Sequence, residues 1–324
     1  LIPPDHKARL VWALVEDLDL MPLYEEIKSV EGHAGRPAID PRILVALWLY
    51  ATDEHVASAH ELARRCSDCD PYKWICGGVS VNYHTLSDFR VEHPQWLREQ
   101  VVTNIAVMRS ECLASLDILG QDGMRVRANA GSDSFQRAEK LSQLLEEAQQ
   151  QWEQLQTEFE QTQQRSARQR AAQERAARER VERLKQAQKE VQQVAKQREK
   201  RKKGDGATAR ASTTDPHARR MKMGDGGYRP AYNVQLATDL DSLVIVGADV
   251  TNAGTESGQI EPMVQRMEAE QEPLPRDAEY YTDGGFATID DIQSVGQRGV
   301  TLFAPVKVGA RQKREGTSQY TPRP

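Results

Sequence analysis

Residues 118–131 read ILGQDGMRVRANAG. An apolar pair and a glycine lead towards Asp122, after which Met124, Val126 and Ala128 alternate with Arg125, Arg127 and Asn129. Alternation with period two is the mark of a strand with one buried face. The pattern then stops. From Ser132 to Lys203 there is neither glycine nor proline, and the composition turns to Gln, Glu and Arg. A carboxylate on a short strand, followed at once by a long helical excursion, raises the question of where the strands resume.

They resume near residue 231. AYNVQLATD (231–239) alternates, SLVIVGADVT (242–251) is a continuous apolar strand, and the turn DLDS makes the two a hairpin. ESGQIEPMVQRMEAEQ (256–271) has the spacing of an amphipathic helix. AEYYTDGGFAT (278–288) is a short strand ending in Asp283 and a glycine pair; IDDIQSVGQRG is a helix and VTLFAPVKV (300–308) a last strand. With the strand at Asp122 placed first, the order is βββαβαβ, that of a ribonuclease H-like domain interrupted between its first and second strands. The expected class is α+β multidomain: a helical N-terminal domain plus a ribonuclease H-like α/β domain carrying a long helical, coiled-coil insertion.

Within the excursion, Leu141, Leu145, Ala148, Trp152, Leu155 and Phe159 step by 4-3-4-3-4, a heptad seam. A poorer seam runs through Val181, Leu184, Val191 and Ala195. As one straight helix the segment would extend about 108 Å at a rise of 1.5 Å per residue. Residues 137–160 carry net charge −4 and residues 196–229 net +7, so folding back antiparallel pairs both seams and charges. A hairpin bending near residues 162–172 is the expectation, in an insertion spanning 132–203 and followed by a basic linker at 204–230.

The whole chain of 324 residues has net charge −5, which argues weakly against a nucleic-acid binder; the local basic stretch does not. No run of about 18 apolar residues appears, the start LIPPDHKARL lacks the pattern of a signal peptide, and four cysteines make no disulfide framework. A cytoplasmic location is the expectation.

Residues 1–112 read as helical. Asp40-Pro41 starts the all-apolar RILVALWLYATD, EHVASAHELARRC gives a second helix, DPYKWICGGVS reads as a turn-rich connection, and Asn82 caps YHTLSDFRVEHP. A further helix begins after Pro94. Two short helices on a longer one fit a helix-turn-helix that would present Asn82, His84, Thr85 and Arg90 to DNA; an ordinary helical bundle fits as well. Cys66, Cys69 and Cys76 are spaced C-x2-C-x6-C, without the second paired knuckle of a structural zinc site, so thiols without metal are the better reading.

In the βββαβαβ order the first and fourth strands are neighbours, which would bring Asp122 and Asp283 together at the strand ends. Two carboxylates without nearby Cys or His suit Mg²⁺ or Mn²⁺, and a pair of such ions can drive in-line phosphodiester displacement. Gly123, Gly284 and Gly285 would let a phosphate approach closely. Asp-Gly is equally a turn signal, so spacing alone leaves both readings open.

QDGMRVRANAG, STTDPHARRMKMGDGGYRPAYNVQLATD, VIVGADVTNAGTESGQIEPMV and YYTDGGFATIDDI resemble successive blocks of bacterial insertion-sequence transposases of the DDE class. DPRILVALWLYA and GGVSVNYHTLSDFRV are similar to the helical N-terminal domain of those proteins. The resemblance covers nearly the whole chain in order, apart from the coiled insertion. It implies Asp122 and Asp283 as catalytic, metal-holding acids, and cleavage and strand transfer on double-stranded DNA, at terminal repeats and target. It also implies backbone contacts by Arg219, Arg220, Lys222 and Arg229, and a homodimer that holds two ends. Glu256 stands where the family commonly has Asp and, with Asn233, is a candidate supporting group. The family's third acid, a Glu on a later helix, has no counterpart here, because Glu315 sits in a turn-like context. The chain is therefore expected to be C-terminally truncated and inactive alone, or to act as a DNA-binding, oligomerising fragment.

Overall fold

The computed structural model describes residues 2–27, 38–161 and 167–305. It is mixed helix and sheet, α+β overall, and divides into two compact units, Leu1–Val107 and Met108–Pro324. The boundary falls slightly before residue 112, the expected end of the helical part.

The first unit holds α1 (Lys7–Glu16), α2 (Met21–Glu25), α3 (Pro41–Asp53), α4 (Ala59–Asp68), α5 (Asp70–Cys76), α6 (Tyr83–Glu92) and most of α7 (Pro94–Ser110). Its centre is α3, started by Asp40, whose side chain accepts from the Arg42 amide at 2.9 Å, with Pro41 at the first helical position. Ile43 through Trp48 are all buried, so this helix is apolar all round because it is surrounded. The stretch DPYKWIC, expected as a connection, is the helix α5. Pro71 sits in its first turn, Tyr72, Ile75 and Cys76 fall on one buried face, and Gly77 ends it in the left-handed region at φ 58°. Only the Gly pair after it is a turn. Three short helices, α4, α5 and α6, therefore stand where two were expected.

The second unit begins with β1 (Ile118–Arg127). After it come β2 (Phe135–Gln136), α8 (Ala138–Gln161), α9 (Ala167–Arg201), β3 (Ala211–Ser212), β4 (Arg219–Lys222), β5 (Tyr228–Asp239) and β6 (Ile245–Thr251). The last elements are α10 (Ile260–Glu270), β7 (Glu279–Thr282), α11 (Ile289–Gln297) and β8 (Thr301–Phe303). The main sheet runs β4-β5-β1-β7-β8, with β6 also on β5. β4 and β6 share one edge of the long β5, against Tyr228–Ala231 and Asn233–Thr238 respectively. β1 is antiparallel to β5 and parallel to β7, and β7 is parallel to β8. Parallel neighbours need crossovers, and α11 supplies the one between β7 and β8.

The segment 204–230, expected as a linker, contains a 3-10 turn (Asp205–Thr208), β3, β4 and the start of β5. β3 pairs with β2, so a two-stranded ribbon ties together the two ends of the α8–α9 excursion. Along that excursion Arg170 lies over Phe159, Arg180 bonds Gln151, and Gln188 bonds Ser142. Rising numbers on α9 meet falling numbers on α8, so the helices run antiparallel. Part of the expected bend, residues 162–166, lies outside the described residues.

Burial alternates along β1 and β5. Leu119 and Gln121, and Ala231, Asn233, Gln235, Ala237 and Asp239, are buried; Asp122, Met124 and Val126 are exposed. Met263 and Met267 of α10 lie against Gly247 of β6, on the buried side. One face of the sheet is thus covered by α10, and among the described residues the other exposes Met124, Val126, Tyr281, Val250 and Phe303.

Candidate functional site

The last parallel pair between β1 and β7 is Gln121 with Thr282. One step further stand Asp122, still on β1 and opposite Leu236 of β5, and Asp283, the first residue after β7. Because Gly120 pairs with Tyr281, the even-numbered β1 residues share a face with the odd-numbered β7 residues, and both aspartates project from that face. They line an open cavity of about 550 Å³ together with Gly120, Met124, Leu236, Thr238, Leu240 and Tyr281. Both are exposed. Asp122 Oδ1 accepts from the Gly123 amide at 2.7 Å, and the chain turns after Asp283, whose carbonyl accepts from the Phe286 amide at 3.1 Å. The hydroxyl of Thr282 is buried and has no hydrogen-bond partner among the described residues.

The opposite face carries a buried polar network. The Tyr280 hydroxyl donates to Gln121 Oε1 at 2.8 Å, and Gln121 Nε2 donates to Gln235 Oε1 at 2.9 Å and to the Gln259 carbonyl at 3.0 Å. Gln235 Nε2 and Arg125 Nη1 both donate to Asn233 Oδ1, at 2.9 and 2.6 Å. Arg125 also pairs with Glu256 at 3.1 Å. Burial pushes the Tyr280 phenol far above its ordinary value, so it stays a neutral donor. Glu256 and Asn233 belong to this network and not to the face of Asp122. Of its members, Gln121, Gln235 and Tyr280 are missed by sequence reading, although Gln121 and Gln235 sit at the buried phase of their strands. There a polar residue needs a partner.

The glycines have internal reasons to be small. A Cβ on Gly123 would collide with the Gln235 amide and stand 3.1 Å from Asn233 Oδ1, and one on Gly284 would stand 2.7 Å from the Pro305 carbonyl. Protein groups, rather than open space for a phosphate, occupy the room beside these two.

A metal site can be tested against these groups. The cavity is lined by two carboxylates, with no thiol or imidazole, which suits a hard, partly hydrated cation. No set of three His, Cys, Asp or Glu side chains converges among the described residues. Glu315 lies outside them.

In the first unit, Asn82 caps α6: its side chain accepts from the Thr85 amide at 2.9 Å and from the Thr85 hydroxyl at 3.3 Å. The exposed ring of His60 stacks on Tyr83 at 3.7 Å, and Tyr83 meets exposed His84 at 3.9 Å. Arg90 lies over the buried ring of Trp48 at 4.1 Å, whose indole donates to the Leu86 carbonyl at 3.0 Å, so Arg90 helps seat α6 on α3. The thiols of Cys66 and Cys76 interact: that bond, with burial, pushes the Cys66 thiol up, and the same bond draws Cys76 down against the opposing effect of burial.

In the second unit, Arg219 is held by Glu190 of α9 and donates to the Pro216 and His217 carbonyls at 3.0 Å. Arg229 pairs with Asp225 at 2.7 Å, and its guanidinium, with the Gly227 amide, draws that carboxyl down to about 2. Arg220 and Lys222 are exposed on β4. No described helix is long and apolar enough to cross a membrane.

No curated protein and no solved structure matches the chain. Residues 1–92 match the model of a family described as a transposase domain (DUF772), which supports a transposase as the function of this protein.

Proposed function

We propose that this transposase is of the DDE class, with a ribonuclease H-like second unit interrupted by the α8–α9 arm, and that it cleaves and transfers DNA strands with Mg²⁺ or Mn²⁺. The observation that carries the reading is the placement of Asp122 and Asp283, on one sheet face, one register step beyond the Gln121–Thr282 pair. The order β6-β5-β1-β7-β8, with β1 antiparallel to β5 and parallel to β7, supports the fold assignment. Asp122 and Asp283 would hold the cation. A bound divalent pair supplies activation of a water or 3′-hydroxyl and stabilisation of the leaving oxygen. The chain's own part is to hold one carboxylate within β1 and the other just past the end of β7, with the Gln121 network beneath them. Double-stranded DNA is met by the α6 end bearing Asn82, His84 and Thr85, and by Arg220 and Lys222, with a homodimer holding two ends.

Titration of the full chain with Mn²⁺ tests the site. Asp122→Asn and Asp283→Asn should each weaken binding roughly tenfold or more, as loss of a charged ligand does; unchanged affinity in both would overturn it. A second reading, a DNA-binding and oligomerising protein without turnover, is favoured by the lack of a third converging carboxylate among the described residues. Manganese-dependent nicking of duplex DNA that Asp122→Ala abolishes decides against it. Salt-sensitive DNA binding without nicking, kept in both aspartate variants, decides for it.

A further inference from the structure

We infer that the α8–α9 arm is a self-association surface, whose occupant is the arm of a second copy of this chain. The inference stands on the arm alone and does not depend on the catalytic reading. Near the ribbon, Leu141 and Ala148 of α8 are buried together with Val181, Leu184, Val191 and Val194 of α9. Further out α8 continues its seam with Trp152, Leu155 and Phe159, but α9 answers with Ala176, Ala177 and Arg170. Large apolar side chains facing alanines cannot fill the space between two helices, and these three remain only half-buried.

The mismatch opens a groove on each flank of the pair. One, of about 410 Å³, runs past Leu155 between Glu158 and Arg180. The other, of about 360 Å³, runs past Trp152 between Glu153 on one wall and Arg178, Glu182 and Lys185 on the other. Between Leu141 and Phe159, α8 carries Glu146, Glu147, Glu153 and Glu158 and no Lys or Arg. Between Arg170 and Lys185, α9 has six basic residues against Glu174, Glu179 and Glu182. Each groove therefore has an acidic wall from α8 and a mainly basic wall from α9. A polyanion such as duplex DNA would meet repulsion along the acidic wall. A second arm related by a twofold axis sets α8 of one copy on α9 of the other, satisfying both walls at once. Its apolar seam residues then fill the grooves as the third and fourth helices of a bundle.

Sedimentation velocity on the full chain tests this. The unaltered protein should sediment at twice its chain mass of 36.5 kDa, and Leu155→Glu should return it to the monomer with helical circular dichroism unchanged. Glu153→Lys with Glu158→Lys should weaken association roughly tenfold or more, and adding Arg178→Glu with Arg180→Glu should restore it, with helical circular dichroism and the unfolding midpoint the same in all variants, because these charges also face each other within one arm. A monomeric unaltered chain, or a dimer that survives Leu155→Glu, would overturn the inference. So would arm variants that lose duplex DNA binding while keeping their oligomeric state.

Discussion

The two faces of the main sheet treat polar groups in opposite ways. On the covered face Gln121, Asn233, Gln235 and Tyr280 are almost wholly buried, and each has at least one hydrogen-bond partner. On the open face Asp122 and Asp283 are exposed at the rim of a cavity. The same strand serves both, because β1 sends odd-numbered residues one way and even-numbered ones the other. A buried polar group must be satisfied from within the protein, whereas an exposed carboxylate carried on or beside a strand stays available to a ligand. Residues that hold the sheet thus lie on one face and solvent-exposed carboxylates on the other. Substitutions one position apart should report the difference.

The largest effect should come from the centre of the network. Gln121→Leu removes the partner of the Tyr280 hydroxyl and the Gln235 amide oxygen, both buried, and of the half-buried Gln259 carbonyl. Stranding several buried polar groups should cost about 3 kcal/mol in urea unfolding. A cost near zero would mean the network contributes little and the faces are alike. Gly123→Ala should come next, at about 2 kcal/mol, because the added methyl must displace the Gln235 side chain from Asn233. If it is neutral, the covered face is looser than its hydrogen bonds imply.

Asp239 extends the comparison to pH. Burial pushes its carboxyl up, but hydrogen bonds from the Ser242 hydroxyl and from the Ser115 and Asp241 amides together hold it below the ordinary 3.8. A carboxyl depressed in the folded state adds stability that is present above pH 3.8 and is lost as pH falls through the lower, folded value. Asp239→Asn should lower stability at neutral pH by about 1 kcal/mol and flatten the acid limb of the stability curve. An unchanged acid limb would assign that limb to other carboxylates.

Much of this arrangement was legible in the sequence, where short-range pattern decides it. The alternation at 118–127 reports the pleat of β1 directly, and the order of elements after residue 231 makes β1 and β7 neighbours, hence Asp122 and Asp283. Two kinds of feature escaped. α5 is only two turns long and is bracketed by Pro71 and a glycine pair, so turn signals outweighed the spacing of Tyr72, Ile75 and Cys76. β4 hides in a basic stretch because Met221 is its only buried apolar residue, and its pairing is set by β5. The ion pair of Arg219 with Glu190 joins β4 to α9 and has no local signature. Arginines that read as candidate phosphate contacts therefore divide, on structural grounds, into held ones (Arg219, Arg229) and exposed Arg220.

The smallest effect on stability should come from the position beside the most sensitive one. Asp122 is exposed, and its one local bond, to the Gly123 amide, can equally be accepted by an asparagine oxygen. Asp122→Asn should therefore leave the unfolding midpoint within about 0.5 kcal/mol of the parent. Loss of Mn²⁺ affinity without loss of stability is the signature of a residue kept for a ligand. If Asp122→Asn instead destabilised as strongly as Gln121→Leu, the open face would be structural, and the carboxylate pair would have to be read as part of the fold.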